Sequence, residues 1–116
     1  MQRRKNFEWL ALRTAERIFI LQVHRVAWFE AAGNYARAYT PNGVSLVRKS
    51  IGQLDLLLDP KVFVRVNRSV IVNIANVREL QPLFHREFQM TLTSGETVKL
   101  TRRYRRNLEQ VVAALF

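Results

Sequence analysis

Phe63-Val64-Arg65-Val66-Asn67-Arg68-Ser69-Val70-Ile71-Val72-Asn73 is the stretch that decides how this chain is read. Apolar and polar residues alternate through 63–66 as on a half-buried strand, break off at Asn67-Arg68-Ser69, and give way to an apolar run from Val70. Two core-facing segments therefore frame a polar triplet that is held in place yet faces outward. Asn, Arg and Ser are side chains that hydrogen-bond to phosphates and base edges. The triplet reads as a contact surface on a rigid scaffold.

Working outward, the rest of the chain has the same texture. Residues 10–14 and 18–21 are strand candidates around an Ala15-Glu16-Arg17 turn, followed by strands at 26–31, 35–40 and 44–49. Gly33-Asn34, Pro41-Asn42-Gly43 and Ser94-Gly95 are turn signals between them. Ser50-Ile51-Gly52-Gln53 has the spacing of a capping box, Ile51, Leu54, Leu57 and Leu58 share one helical face, and Pro60 closes that helix. Short strands follow at 70–72, 77–83, 88–93 and 97–100. Thr101 is a candidate cap for a last helix with apolar positions Tyr104, Leu108, Val111, Val112 and Leu115. The expectation is a mainly β fold with a short central helix and a C-terminal helix. Residues 1–8, with Arg3-Arg4-Lys5, read as a basic tail or linker remnant, and 9–116 as one domain.

At 116 residues the chain buries about 65% of the surface it would expose unfolded, enough for a core without staples. It has no cysteine, which removes disulfides and thiolate metal sites and suits a reducing cytoplasm. No apolar run reaches the length of a membrane span, and no signal-like segment follows the basic start. Arg and Lys number 19 against 9 acids, a formal charge of +10, and arginine outnumbers lysine 15 to 4. A guanidinium is a planar fork matched to phosphate and guanine edges, whereas an ammonium is a point charge. The balance points to a polyanion partner, nucleic acid before membrane; the alternative is a basic surface that serves solubility.

Enzymatic constellations are poor. His24 and His85 have no neighbouring carboxylate pair in sequence, the glycines form no phosphate-cradling loop, and no nucleophile–base pair is evident. No catalysis, metal or cofactor is assigned; a deep cavity lined by His24 and acids would argue otherwise. Binding constellations are richer. Lys99, Arg102, Arg103, Arg105 and Arg106 crowd the start of the last helix with no acid among them. Cations there oppose the helix dipole, so they suggest an anion docked at that end, against a merely solvated face. Asn34, Tyr35 and Arg37 flank a turn, where turn chemistry and core packing are the competing readings. Arg48 and Lys49, before the capped helix, are phosphate candidates or plain strand-end charges. Asn73 reads as a structural side-chain-to-backbone bond. Trp28, Phe29, Phe63 and Phe88 read as core, while Trp9 seats the linker or faces a partner.

The stretch 63–73, as Phe-x-Arg-x-x-Arg-Ser-x-x-Val-Asn, resembles the signature of the LytTR domain, the DNA-binding output module of LytR/AlgR-type bacterial response regulators. Upstream, Val26-Ala27-Trp28-Phe29-Glu30-Ala31-Ala32-Gly33-Asn34-Tyr35 resembles the family's "I-E-A-x-G-N-Y" stretch. Downstream, Val98-Lys99-Leu100-Thr101-Arg102-Arg103-Tyr104 resembles its "v-S-R-x-Y" end, with Thr101 keeping the hydroxyl of the usual serine. The resemblance spans roughly 10–115. It implies an elongated antiparallel fold of small sheets whose loops, not a helix, enter successive major grooves at direct repeats, with bending of the DNA. Thr101 and Arg103 then match DNA-contacting positions, with Arg103 on a guanine edge and Arg102 and Arg105 beside it. The Asn34, Tyr35 and Arg37 loop takes the other major groove. Ala36, in its middle, has no hydrogen-bonding side chain; if other members carry a polar residue there, this protein must read its site differently. Asn67, Arg68 and Ser69 fall at the minor groove or backbone between. The implied partners are double-stranded DNA, a second copy in a possible dimer on DNA, and an N-terminal receiver domain in a longer parent. A basic RNA-binding module is the alternative, and would need exposed stacking aromatics on a sheet face.

Overall fold

The computed structural model describes residues 6–116, so the Arg3-Arg4-Lys5 stretch lies outside the described residues. Its strands and helices are β1 (Trp9–Arg13), β2 (Ile18–Gln22), β3 (Trp28–Ala32), β4 (Tyr35–Thr40), β5 (Gly43–Val47), α1 (Ile51–Leu57), β6 (Phe63–Asn67), β7 (Val70–Asn73), β8 (Val77–Pro82), β9 (Phe88–Leu92), β10 (Thr97–Leu100) and α2 (Arg105–Glu109). Every pairing is antiparallel. Seven strands form one sheet in the order β2-β1-β5-β4-β3-β7-β6, and three form a second in the order β10-β9-β8. The molecule measures 43 × 39 × 24 Å, long in two directions and thin in the third.

Two cores explain the sequence pattern. On one face of the large sheet, Leu12, Phe29, Ala36, Ala38, Val47, Phe63 and Ile71 pack against Ile51, Leu54 and Leu58 of the α1 segment. On the other, Trp28, Val64, Val66, Val70 and Val72 meet Met90, Leu92 and Leu100 of the small sheet and Leu108 of α2. Strand β7 is covered on both sides, so Val70-Ile71-Val72 carries no polar alternation. At the opposite edge, β2 is as apolar in sequence but leaves Ile18, Phe19 and Ile20 at 53%, 47% and 65% exposed.

The local signals act as expected at the turns and at α1. Gln53 N–H donates to Ser50 Oγ (3.2 Å) and Ser50 N–H to Gln53 Oε1 (3.0 Å), a complete capping box. Gly33 takes φ +64°, the left-handed value that lets β3 return as β4 through two residues. Asn73, 2% exposed, donates to the carbonyls of His24 (2.9 Å) and Val26 (3.1 Å) and accepts from Ala75 N–H (3.0 Å), the structural role read from sequence. The C-terminal helix differs from expectation. A 3-10 turn at Arg102–Tyr104 leads into an α segment of only five residues, and Thr101 makes no side-chain cap bond. The reason is tertiary: Thr101 N–H donates to Val66 O (3.0 Å), pinning the chain to β6, and only Leu108 of α2 is buried. The chain then turns to lay Val111, Val112 and Leu115 on the second core.

Candidate nucleic-acid interface

Three loops named from the sequence meet along one side of the molecule: the β3–β4 hairpin, the β6–β7 turn and the segment from β10 into α2. Backbone and side-chain bonds staple them. Ala31 N–H, near the hairpin, donates to Ser69 O (2.8 Å). Thr101 N–H donates to Val66 O (3.0 Å), and Asn67 Nδ2 donates to Lys99 O (2.8 Å). The β6–β7 turn is therefore the hub between the other two. An open cleft of about 640 Å³ runs beside it, lined by Asn67, Arg68, Thr101, Arg102 and Arg103 together with His85 and Glu87. A second surface continues from it, lined by Arg86, Arg102, Arg103, Arg105, Arg106 and Glu109. Arg103 borders both.

The side chains fall into two kinds. Asn34, Tyr35, Arg48, Lys49, Arg68, Ser69, Arg102 and Arg103 are exposed. Arg48 and Lys49 follow Val47, which pairs with Ala36, so they stand at the hairpin end of the sheet. Thr101 is half-buried with its hydroxyl uncommitted to a cap. Asn67, Arg105 and the likewise exposed Arg37 make contacts within the fold. Asn67 uses its amide on Lys99 O and its Oδ1 to accept Ser69 N–H (2.8 Å), so it shapes the turn. Arg37 is paired with Glu30 (3.2 Å), whose Oε1 also accepts from Tyr39 O–H (2.8 Å). Burial, and then that bond to Glu30, raise the Tyr39 hydroxyl above its usual pKa of 10.0. Arg105 is half-buried, its guanidinium 4.0 Å from the centre of the Phe116 ring and 5.6 Å from that of Phe88. Of the residues that sequence places with the outward contacts, Asn67, Arg37 and Arg105 make these contacts within the fold, Arg37 in an exposed ion pair. The reading of Ala36 is corrected. Alternation on β4 turns Tyr35 and Arg37 outward and Ala36 into the core at 0% exposed, so its missing hydrogen bond removes nothing from a groove.

Arg65, the first arginine of the 63–73 signature, has a role that its place in the motif did not reveal. Its Nη2 donates to Arg68 O (2.6 Å), its Nη1 lies 3.8 Å from Asp55 of α1, and its guanidinium sits 5.6 Å from the centre of the Tyr104 ring. One side chain thus ties the β6–β7 turn, α1 and the α2 entry together. The signal was present: a charged residue at an apolar-flanked strand position needs a partner. The aromatics Trp28, Phe29 and Phe63 are buried and Phe88 is half-buried. Trp28 stacks on Tyr39 at 3.9 Å between ring centres, inside the fold. None of these four forms an exposed stacking platform, whereas Trp9 is 57% exposed. His24 shares a half-open cleft of about 440 Å³ with Glu8 and Asp59. Asp59 Oδ1 there accepts Lys61 N–H (2.9 Å). Among the described residues no group of three or more His, Asp or Glu is placed to hold a metal.

The molecule is thus a mainly antiparallel scaffold that presents arginine-rich loops along one side. This chain belongs to the LytTR family: the family model for the LytTr DNA-binding domain matches residues 16–113. It is accordingly a DNA-binding domain of transcription regulation. Among solved structures, the LytTr DNA-binding domain of a putative methyl-accepting/DNA response regulator from Bacillus cereus shares the fold, with a TM-score of 0.83, 20% identity, and 93% of this chain and 99% of that one covered. The CO-responsive transcriptional regulator RcoM of Rhodospirillum rubrum is 43% identical over 53 residues, 46% of this chain and 22% of that protein. The sensory transduction protein LytT of Bacillus subtilis is 23% identical over 103 residues, 89% of this chain and 43% of that protein. The chain thus spans less than half the length of these curated relatives. Among the described residues no helix is long and apolar enough to cross a membrane.

Proposed function

We propose that this chain reads a specific double-stranded DNA sequence as the output domain of a cytoplasmic transcriptional regulator. In this reading the β3–β4 hairpin and the β10–α2 segment enter successive major grooves, and the β6–β7 turn faces the minor groove and backbone between them. The observation that carries it is the stapling of the three loops through Ser69 O, Val66 O and Lys99 O, which presents them as one rigid surface. Arg103 is the base-reading residue, with guanine O6 and N7 the matching edge for its fork. Arg68 suits a narrow, electronegative minor groove. Ser69, Thr101, Arg102, Arg48 and Lys49 hold phosphates, with Asn34 and Tyr35 at the other groove. Operators are direct repeats that recruit two copies, and in a longer parent protein an N-terminal receiver domain supplies the signal. The names of the relatives, sensory transduction and transcriptional regulators, support that setting.

Selection from a random duplex library tests this reading, with salt-dependent affinities measured for the winner and for a scrambled duplex. A repeated motif bound roughly 10³-fold or more above scrambled DNA is expected. Equal, steeply salt-dependent binding to both would leave only a nonspecific polyanion surface. In the selected complex, Arg103→Ala should cost about 1–3 kcal/mol and relax preference at one base pair. Equal losses on selected and scrambled DNA would remove its reading role.

A further inference from the structure

The loop joining β8 to β9 borders the three-loop surface, through His85, Arg86 and Glu87, without being one of the three loops. Its sequence, Leu83-Phe84-His85-Arg86-Glu87, puts an aromatic residue at a loop position where a polar one would cost nothing. Phe84 is 88% exposed, the highest value among the exposed large hydrophobic residues, and Leu83 beside it is 42% exposed. The loop is closed rather than slack. Leu83 N–H donates to Glu87 O (2.8 Å) and Glu87 N–H to Phe84 O (3.3 Å), directly above the Pro82–Phe88 pair of the ladder. His85 and Arg86 both hold left-handed backbone, φ 60° and 63°, although neither is glycine or asparagine. Strain of that kind in a fixed loop directs attention to what the loop presents.

Its setting is cationic. His85 lines the same cleft as Arg68, Thr101, Arg102 and Arg103, and Arg86 lines the adjoining surface with Arg102, Arg103 and Arg106. The acid of the loop, Glu87, is paired with Lys99 at 3.6 Å, which withdraws its charge from that field. An exposed ring in a loop whose next residues line two guanidinium-rich surfaces fits a partner that offers negative charge and flat apolar faces together. A duplex offers both, as phosphates and base steps. A protein-docking patch would need a wider apolar area than one ring and one leucine.

We infer that the β8–β9 loop is a fourth DNA-contacting element, in which Phe84 wedges at a base step of the minor groove next to Arg68 while Arg86 holds a flanking phosphate. This rests on the DNA-reading surface proposed above and extends it by a contact that unstacks the duplex and sets its bend. The test uses the intact chain and the duplex it selects, with 2-aminopurine placed in turn at each central position and dyes at the two ends. The wild-type protein should raise 2-aminopurine fluorescence at one step and shorten the end-to-end distance. Phe84→Ala should abolish the local rise, reduce the bend and weaken binding by roughly 5- to 100-fold. Phe84→Leu, which keeps an apolar wedge, should restore most of the bend. Melting of both variants should match wild type, since the ring packs on nothing that it would leave empty. Phe84→Ala that binds, bends and unstacks as wild type does would overturn the wedge while leaving sequence reading intact, and would give the ring to another partner. Equal binding of selected and scrambled duplexes by the wild-type protein, with no local rise and no bend, would overturn both readings together.

Discussion

Replacing Asn67 by alanine separates a residue that shapes the surface from one that touches DNA. Its side chain makes two bonds, Nδ2 to Lys99 O and Oδ1 from Ser69 N–H, each 2.8 Å, and the first bridges positions 32 apart. Each bond contributes about 0.5–1.5 kcal/mol net. Asn67 is half-buried, so water replaces part of what is removed, and the sum settles near 1–2 kcal/mol. With m near 2 kcal/mol/M, the urea midpoint should fall by about 0.5–1 M at unchanged m. Affinity should fall on selected and scrambled duplexes alike, because the loss is one of loop placement. The Thr101 N–H to Val66 O bond remains, so the fold is retained. A residue that reached DNA from an otherwise idle position would behave oppositely, with stability unchanged within about 0.5 kcal/mol and loss confined to one base pair. An unmoved midpoint together with a base-specific defect would refute the positioning role.

Leu54→Asp places a carboxylate where the side chain is 0% exposed between α1 and the large sheet, and should abolish cooperative unfolding; a retained sigmoidal melt would show that α1 does not cover that core. Ser50→Ala removes one half of the capping box and should cost about 0.5–2 kcal/mol in urea unfolding with little effect on DNA affinity. Tyr39 has its pKa raised in the folded state, so the fold holds the proton more tightly than the unfolded chain does. Its contribution is therefore complete below pH 10.0 and is lost as pH rises from there through the folded value. Tyr39→Phe should flatten that alkaline limb of a stability–pH profile, and an identical limb in the variant would assign it to other groups.

Much of the fold was legible because its signals act over a few residues. The capping box needs only the three-residue reach from Ser50 to Gln53, and the Gly33-Asn34 turn needs only a residue free to take positive φ. Trp28, Phe29 and Phe63, read as core aromatics on strands, are buried, Trp28 and Phe29 on opposite faces of the large sheet. The candidate loops were legible too, as polar interruptions between apolar strands. Which polar side chains of those loops also bond within the fold was not legible. Arg105 finds Phe116, and Arg37 finds Glu30 across a strand pair.

By itself the sequence determined the strands, the turns, the capped helix, the surplus of arginine and the family to which they belong. Only the tertiary structure decided which loops share a side, through Ala31 on Ser69 and Thr101 on Val66. It also decided that Ile18-Phe19-Ile20 lies at an open edge while Val70-Ile71-Val72 is covered on both faces. The physical reason is that an amide or a guanidinium has the same bonding capacity toward a phosphate as toward a backbone carbonyl. Which of the two it meets depends on segments far away in the chain, and those are brought together only when the two cores close.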